Sequence, residues 1–121
     1  MPIVRIDITG PKPAAWKRAL LAGARAAVVE ALGVPDDRVT VRVIETPDEC
    51  VDVPDCRTDR FTIVEVIMYE GRPDEMKQAL GAAVRAHLER DPGIEPSEVS
   101  IVIRDPSRVD LDVPPGEAGR V

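Results

Sequence analysis

Aromatic residues are almost missing from this chain: one Trp, one Tyr and one Phe make up 2% of its 121 residues. Its core must therefore be aliphatic. Cysteine and histidine are equally scarce. Cys50, Cys56 and His87 complete that inventory, which is too few ligands for a structural zinc site. Cys50 and Cys56 would suit a redox pair, but two unpaired thiols in a loop stiffened by Pro54 suit the segment better. Basic charge is in deficit, with 16 Lys and Arg against 22 Asp and Glu and a formal net charge of -6. Without a basic block, that balance argues against a nucleic-acid surface. No apolar run reaches the length of a membrane span, and the N-terminus has no signal-peptide core. A cytoplasmic protein with neither nucleic-acid nor membrane partners is expected. With 44% hydrophobic and 31% charged residues, a globular domain with a modest core follows.

What the chain does contain is a copy of itself. At a shift of sixty residues and without gaps, Ile3-Val4 falls on Ile63-Val64, Pro13 on Pro73, Lys17 on Lys77, and Ala19-Leu20 on Ala79-Leu80. Ala22 falls on Ala82, Arg25-Ala26 on Arg85-Ala86, Gly33 on Gly93 and Val39 on Val99. Coinciding proline, glycine and strand positions in one frame indicate duplication. The single domain, 1–121, divides into pseudo-repeats 2–45 and 61–105, a linker loop 46–60 and a C-terminal tail 106–121.

Each repeat reads β-α-β. In the first strand Val4, Ile6 and Ile8 alternate with Arg5 and Asp7. A helix follows from Pro13, a residue suited to the first helical position, with Leu20, Ala24, Ala27, Val28 and Ala31 on one stripe and Gly33 as its stop. Val39, Val41 and Val43 alternate through the second strand. The second copy repeats the pattern with a strand over 61–69, a helix from Pro73 striped by Leu80, Val84 and Leu88, and a strand over 99–103. His87 sits beside that stripe as a packed or half-exposed residue. Two parallel βαβ units side by side give an α/β (α+β) fold: a four-stranded sheet with two helices on one face. The uncovered face, with Val64, Val66 and Met68 or their neighbours, calls for oligomerisation. The tail alternation Val109-Asp110-Leu111-Asp112-Val113 reads as a short strand that pairs with a sheet edge, its own or a neighbour's.

Two features carry chemistry. The first is Met1-Pro2 at the head of a strand. Removal of Met1, which a small second residue permits, would make Pro2 a free secondary amine able to act as base, acid or nucleophile. Many chains begin Met-Pro for no chemical reason, so the dipeptide alone says little. The second is the turn Tyr69-Glu70-Gly71-Arg72-Pro73-Asp74-Glu75. Arg72 is the wrong charge for a helix N-terminus. It can present a two-pronged donor to a carboxylate, beside helix amides that favour the same anion, or it can pair with Glu70 or Asp74.

The Met-Pro strand, a βαβ unit of this length and a Glu-Gly-Arg turn before a Glu-x-Lys helix together resemble the tautomerase superfamily. That family includes the single-unit 4-oxalocrotonate tautomerase and doubled chains such as macrophage migration inhibitory factor. The segments Gly33-Val34-Pro35-Asp36-Asp37-Arg38, Thr58-Asp59-Arg60-Phe61 and Leu88-Glu89-Arg90-Asp91-Pro92-Gly93-Ile94 look most like the malonate semialdehyde decarboxylase group. The resemblance implies a homotrimer that needs no cofactor and no metal and takes a small carboxylate substrate. It also implies Pro2 as general base or acid, Arg72 as carboxylate holder, and Asp37 as the acidic residue that assists a water or orients substrate. Arg38, Arg57 and Arg60 are further carboxylate partners on the same grounds. The first copy has Gly10-Pro11-Lys12-Pro13 at its turn and Thr62 stands where the repeat would put Pro2, so one site per chain is expected. Arg72 stands without a second turn arginine, and the tail lacks an aromatic wall. Tautomerisation of a small 2-oxo acid is therefore favoured over decarboxylase or hydratase-type lyase chemistry. A non-catalytic trimeric binding module is the remaining reading.

Overall fold

Alternation and helical stripes resolve into the order β1 (Ile3–Gly10), α1 (Ala14–Leu32), β2 (Thr40–Pro47), β3 (Thr62–Ile67), α2 (Asp74–Arg90) and β4 (Val99–Arg104) in a computed structural model. Short 3-10 turns at Asp36–Arg38, Asp48–Cys50 and Pro96–Glu98 complete the elements. The structure describes residues 1–55 and 61–114.

The sheet order is β2-β1-β3-β4. β1 pairs parallel with β2 and β3 parallel with β4, while the central strands β1 and β3 run antiparallel. Two βαβ units thus meet about an approximate twofold axis. Arg5 lies opposite Glu65 in the central register, and these two are also equivalent positions of the repeat. The local symmetry axis passes between them.

Both helices lie on one face. Leu20, Ala24, Ala27 and Val28 of α1 join Leu80, Val84 and Leu88 of α2 over Val4, Ile6, Ile8, Val64 and Val66. Burial of each large aliphatic side chain contributes about 1.5–3 kcal/mol, so the helix–sheet interface holds the fold together. No helix is long and apolar enough to cross a membrane.

Three local expectations are corrected. Pro13 and Pro73 do not occupy the first helical position but the one before it, in extended conformation. Their carbonyls accept the first helical bonds, from Lys17 N at 3.1 Å and Lys77 N at 3.2 Å, as an N-cap residue's carbonyl does. Val64, Val66 and Met68 belong to the helix-covered face and are fully buried. Their neighbours Ile63 and Ile67 share the other face with Ile3, Arg5, Asp7, Glu65, Val102 and Arg104. That face is mixed rather than apolar, and it carries the pairs Arg5–Asp7 at 3.3 Å and Arg104–Glu65 at 2.6 Å. Finally, the tail segment from Val109 makes no strand with the chain's own sheet. Asp110 N and Leu111 N instead donate to Ser107 O at 3.0 and 3.2 Å, folding the segment into a turn.

Candidate active site

The strand directions bring the head of β1, the head of β2 and the tails of β3 and β4 to one end of the sheet, since Ile3 is in register with Thr40 and with Ile67, and Ile67 with Arg104. Pro2 immediately precedes β1 there. Its carbonyl accepts a hydrogen bond from Thr40 N at 3.2 Å, and the amine of Met1 donates to Arg38 O at 2.8 Å. Both Met1 and Pro2 are buried. With Met1 attached, the Pro2 nitrogen is an amide and cannot titrate.

The 3-10 turn Asp36–Arg38 reaches the same end, because it leads directly into β2. Asp37 is exposed and Arg38 half-buried. Asp36, one residue earlier, faces Arg25, whose Nη1 lies 3.9 Å from its carboxylate and donates to its carbonyl at 2.7 Å. The 3-10 turn is thereby tied to α1.

Arg72 arrives from the other unit. The chain leaves β3 through Met68 and Tyr69, turns at Gly71 with φ 113, a left-handed conformation that disfavours any side chain, and enters α2. Arg72 lines a cavity of about 370 Å³ with Leu32, Glu70, Gly71, Pro73 and Met76. Leu32 ends α1, so the last turn of one unit's helix walls the arginine of the other. Pro2 and Asp37 do not line this cavity; the fold brings them to the same end of the sheet without placing them in it. Desolvation pulls the Arg72 guanidinium below its ordinary pKa. Among the described residues Arg72 has no ion pair, so the alternative of a pair with Glu70 or Asp74 does not form. A desolvated, unpaired guanidinium beside the start of a helix attracts an anion.

Arg57 and Arg60 lie outside the described residues, as does Cys56. Cys50 is a free, exposed thiol. His87 bonds Glu30 of α1 through Nε2 at 2.8 Å, a contact between the helices far from Pro2. Among the described residues no three His, Cys, Asp or Glu side chains converge as a metal site requires.

Sequence reasoning passed over the residues that fasten this end. Lys77 donates to Asp105 at 2.6 Å, which lowers the Asp105 pKa and raises that of Lys77. The repeat held the signal for it, because Lys17 and Glu45 are the equivalent positions and also pair, at 3.0 Å. Tyr69 and Arg108 had no such signal. The Arg108 guanidinium stacks 4.3 Å from the Tyr69 ring centre, and the Tyr69 hydroxyl donates to Leu111 O at 3.1 Å.

Known structures share this fold. Malonate semialdehyde decarboxylase, solved in connection with decarboxylase and hydratase activities, superposes with a TM-score of 0.84 at 26% identity, over 96% of this chain and 93% of that one. Pt0534, solved after inactivation by 2-oxo-3-pentynoate, gives 0.82 at 29% identity over 94% and 93%. A fused 4-OT solved as a symmetric trimer gives 0.82 at 27% over 94% and 93%. No curated protein sequence matches significantly. Two family models, each described as tautomerase enzyme, match residues 2–55 and 53–110. One model for each βαβ unit, over nearly the whole described length, shows that the chain belongs to the tautomerase superfamily as a doubled member.

Proposed function

We propose that the protein is an isomerase that interconverts enol and keto forms of a small 2-oxo acid, with Pro2 as the proton carrier. The observation that carries this reading is the unpaired, desolvated Arg72 at the end of the sheet where Pro2 leads into β1. Loss of Met1 would convert the Pro2 nitrogen to a secondary amine and empty the volume that Met1 fills. Nearby guanidinium charge disfavours the protonated amine, leaving a base. That base takes the proton of the enol hydroxyl and returns a proton to carbon, so the bonds rearrange with no net redox change and no added reactant. Arg72 holds the carboxylate and stabilises negative charge on the enolate. Arg38 and Asp37, on the adjacent 3-10 turn, orient the substrate, and Arg57 and Arg60 are further carboxylate partners. The mixed open face of the sheet and the trimeric state of a fused 4-OT neighbour support a homotrimer.

The test is conversion of phenylenolpyruvate by processed wild type and by Pro2→Ala, with intact mass measured for both. Equal rates, or native protein that keeps Met1, would sink the proline mechanism. A lyase reading is favoured by one observation, the similarity to malonate semialdehyde decarboxylase. Carbon dioxide release from malonate semialdehyde that depends on both Pro2 and Asp37 would establish it instead.

A further inference from the structure

The C-terminal tail does more than end the chain. Leaving β4, it crosses the turn that carries Arg72 at four points. Asp105 holds Lys77 at 2.6 Å, on the first turns of α2. Pro106 O accepts from Glu70 N at 3.1 Å. The turn at Ser107–Asp110, closed by Asp110 N donating to Ser107 O at 3.0 Å, then brings the Arg108 guanidinium over the Tyr69 ring at 4.3 Å. Leu111 O finally accepts from the Tyr69 hydroxyl at 3.1 Å. These contacts fall on both sides of Arg72 and leave its guanidinium unpaired.

The first copy shares the lysine–carboxylate pair and the strand-edge contact, since β2 runs beside β1 through Thr46 and Pro47, but its cation–ring contact, Lys12 over Trp16, is made within its own turn and helix. There, Glu45 ties the turn, receiving Lys17 Nζ at 3.0 Å and Lys12 N at 2.6 Å. Asp105 is one methylene shorter than Glu45, and the described structure shows no bond from it to the Arg72 backbone. At the second turn the Arg108 and Leu111 contacts with Tyr69 therefore add to the hold of Asp105.

We propose that residues 105–111 are a strap that sets the position of the Arg72 guanidinium, with Tyr69 and Arg108 as positioning residues that do not themselves touch substrate. This rests on the reading of Arg72 as the carboxylate holder. A loosened strap spreads Arg72 over more conformations and weakens carboxylate binding, while proton transfer at Pro2 proceeds unchanged once substrate is bound. The signature is therefore a split between KM and kcat.

Two variants weaken the strap at different contacts. Tyr69→Phe deletes the bond to Leu111 O, and Arg108→Ala deletes the stacking from an exposed position where folding is not at risk. Each should raise KM for phenylenolpyruvate about 2- to 5-fold, the scale of one exposed cation–π contact or neutral hydrogen bond, with kcat held within about twofold. Amide exchange at Glu70, whose N–H is bonded to Pro106 O, should accelerate by a similar factor. Arg108→Lys should restore both readouts, since an ammonium also sits favourably over the ring. Unchanged exchange in both variants overturns the strap, and so does faster exchange with unchanged KM. If processed wild type fails to convert phenylenolpyruvate, the tautomerase reading fails separately. Exchange at Glu70 then decides the strap alone, with acceleration supporting it and no change overturning it.

Discussion

The two ends of the sheet are built from the same repeat and differ in what they do with one cation. At the first unit's turn, Lys12 stands where the second unit has Arg72. Its ammonium lies 5.5 Å from the Trp16 ring centre, and its backbone is bonded by Glu45. Gly10 makes that closure feasible: a Cβ there would stand 2.5 Å from Glu45 Cγ. The cavity beside it, about 310 Å³, is lined by Gly10, Pro11, Glu45, Thr46, Pro47, Asp48 and Glu49, an acidic wall that repels a carboxylate. At the second turn Glu70 replaces Gly10, Asp105 replaces Glu45, and the cation is left unpaired. Pro2 heads β1, whereas the equivalent Thr62 is internal to the chain and fully buried. Duplication supplied the scaffold twice, and the proposed chemistry uses only one copy.

The largest effect should come from the group that has no counterpart. Pro2→Ala, or a form that retains Met1, should lose about 100- to 10,000-fold in kcat/KM for enol-to-keto conversion, the usual contribution of a general acid–base group. Retained activity in the Met1-bearing form would break the asymmetry at its root. Next comes the cation. Arg72→Ala should raise KM about 10- to 100-fold, in line with loss of a hydrogen bond to a charged group. Lys12→Ala, at the other end, should leave both constants near wild type. Matching losses in Arg72→Ala and Lys12→Ala would mean that both ends bind substrate.

Much of this asymmetry is visible in the sequence, and the reason is physical. Val4, Ile6 and Ile8 alternate with Arg5 and Asp7, so period two alone selects the buried face of β1. In β3 both parities are apolar at most positions, with Ile63 and Ile67 against Val64 and Val66, and periodicity could not choose between them. The helix-covered side emerged only from the register with β1. Arg72 stood out because its charge opposes the helix dipole, a local conflict that points to function. The strap was illegible for the opposite reason. Val109 to Val113 alternates as a strand would, yet its fold is dictated by Tyr69, which lies 42 residues from Leu111 in the chain, and Val109 ends up 91% exposed. Local pattern carries no record of such a partner.

The smallest expected difference concerns how the two turns respond to acid. Lys17 and the Lys12 amide hold the Glu45 pKa below its ordinary 4.5, and Lys77 holds that of Asp105 below 3.8. A carboxylate whose folded pKa is depressed contributes stability at any pH above its unfolded value and loses that contribution as pH falls through the folded one. Lys77, raised above 10.5, contributes below that value and loses it only as pH rises past its folded pKa. Both ties should therefore be constant across neutral pH. On acidification Glu45 begins to lose its share first, because its unfolded value is the higher. Thermal unfolding of Glu45→Gln and Asp105→Asn between pH 7 and pH 2.5 should show each variant converging on wild type at the acid end. Both gaps should shrink in high salt, since exposed pairs are screened. Only Asp105→Asn should also raise KM, because only the second turn carries the proposed substrate cation. A rise in KM for Glu45→Gln of equal size would show that the two turns are coupled through the sheet rather than independent.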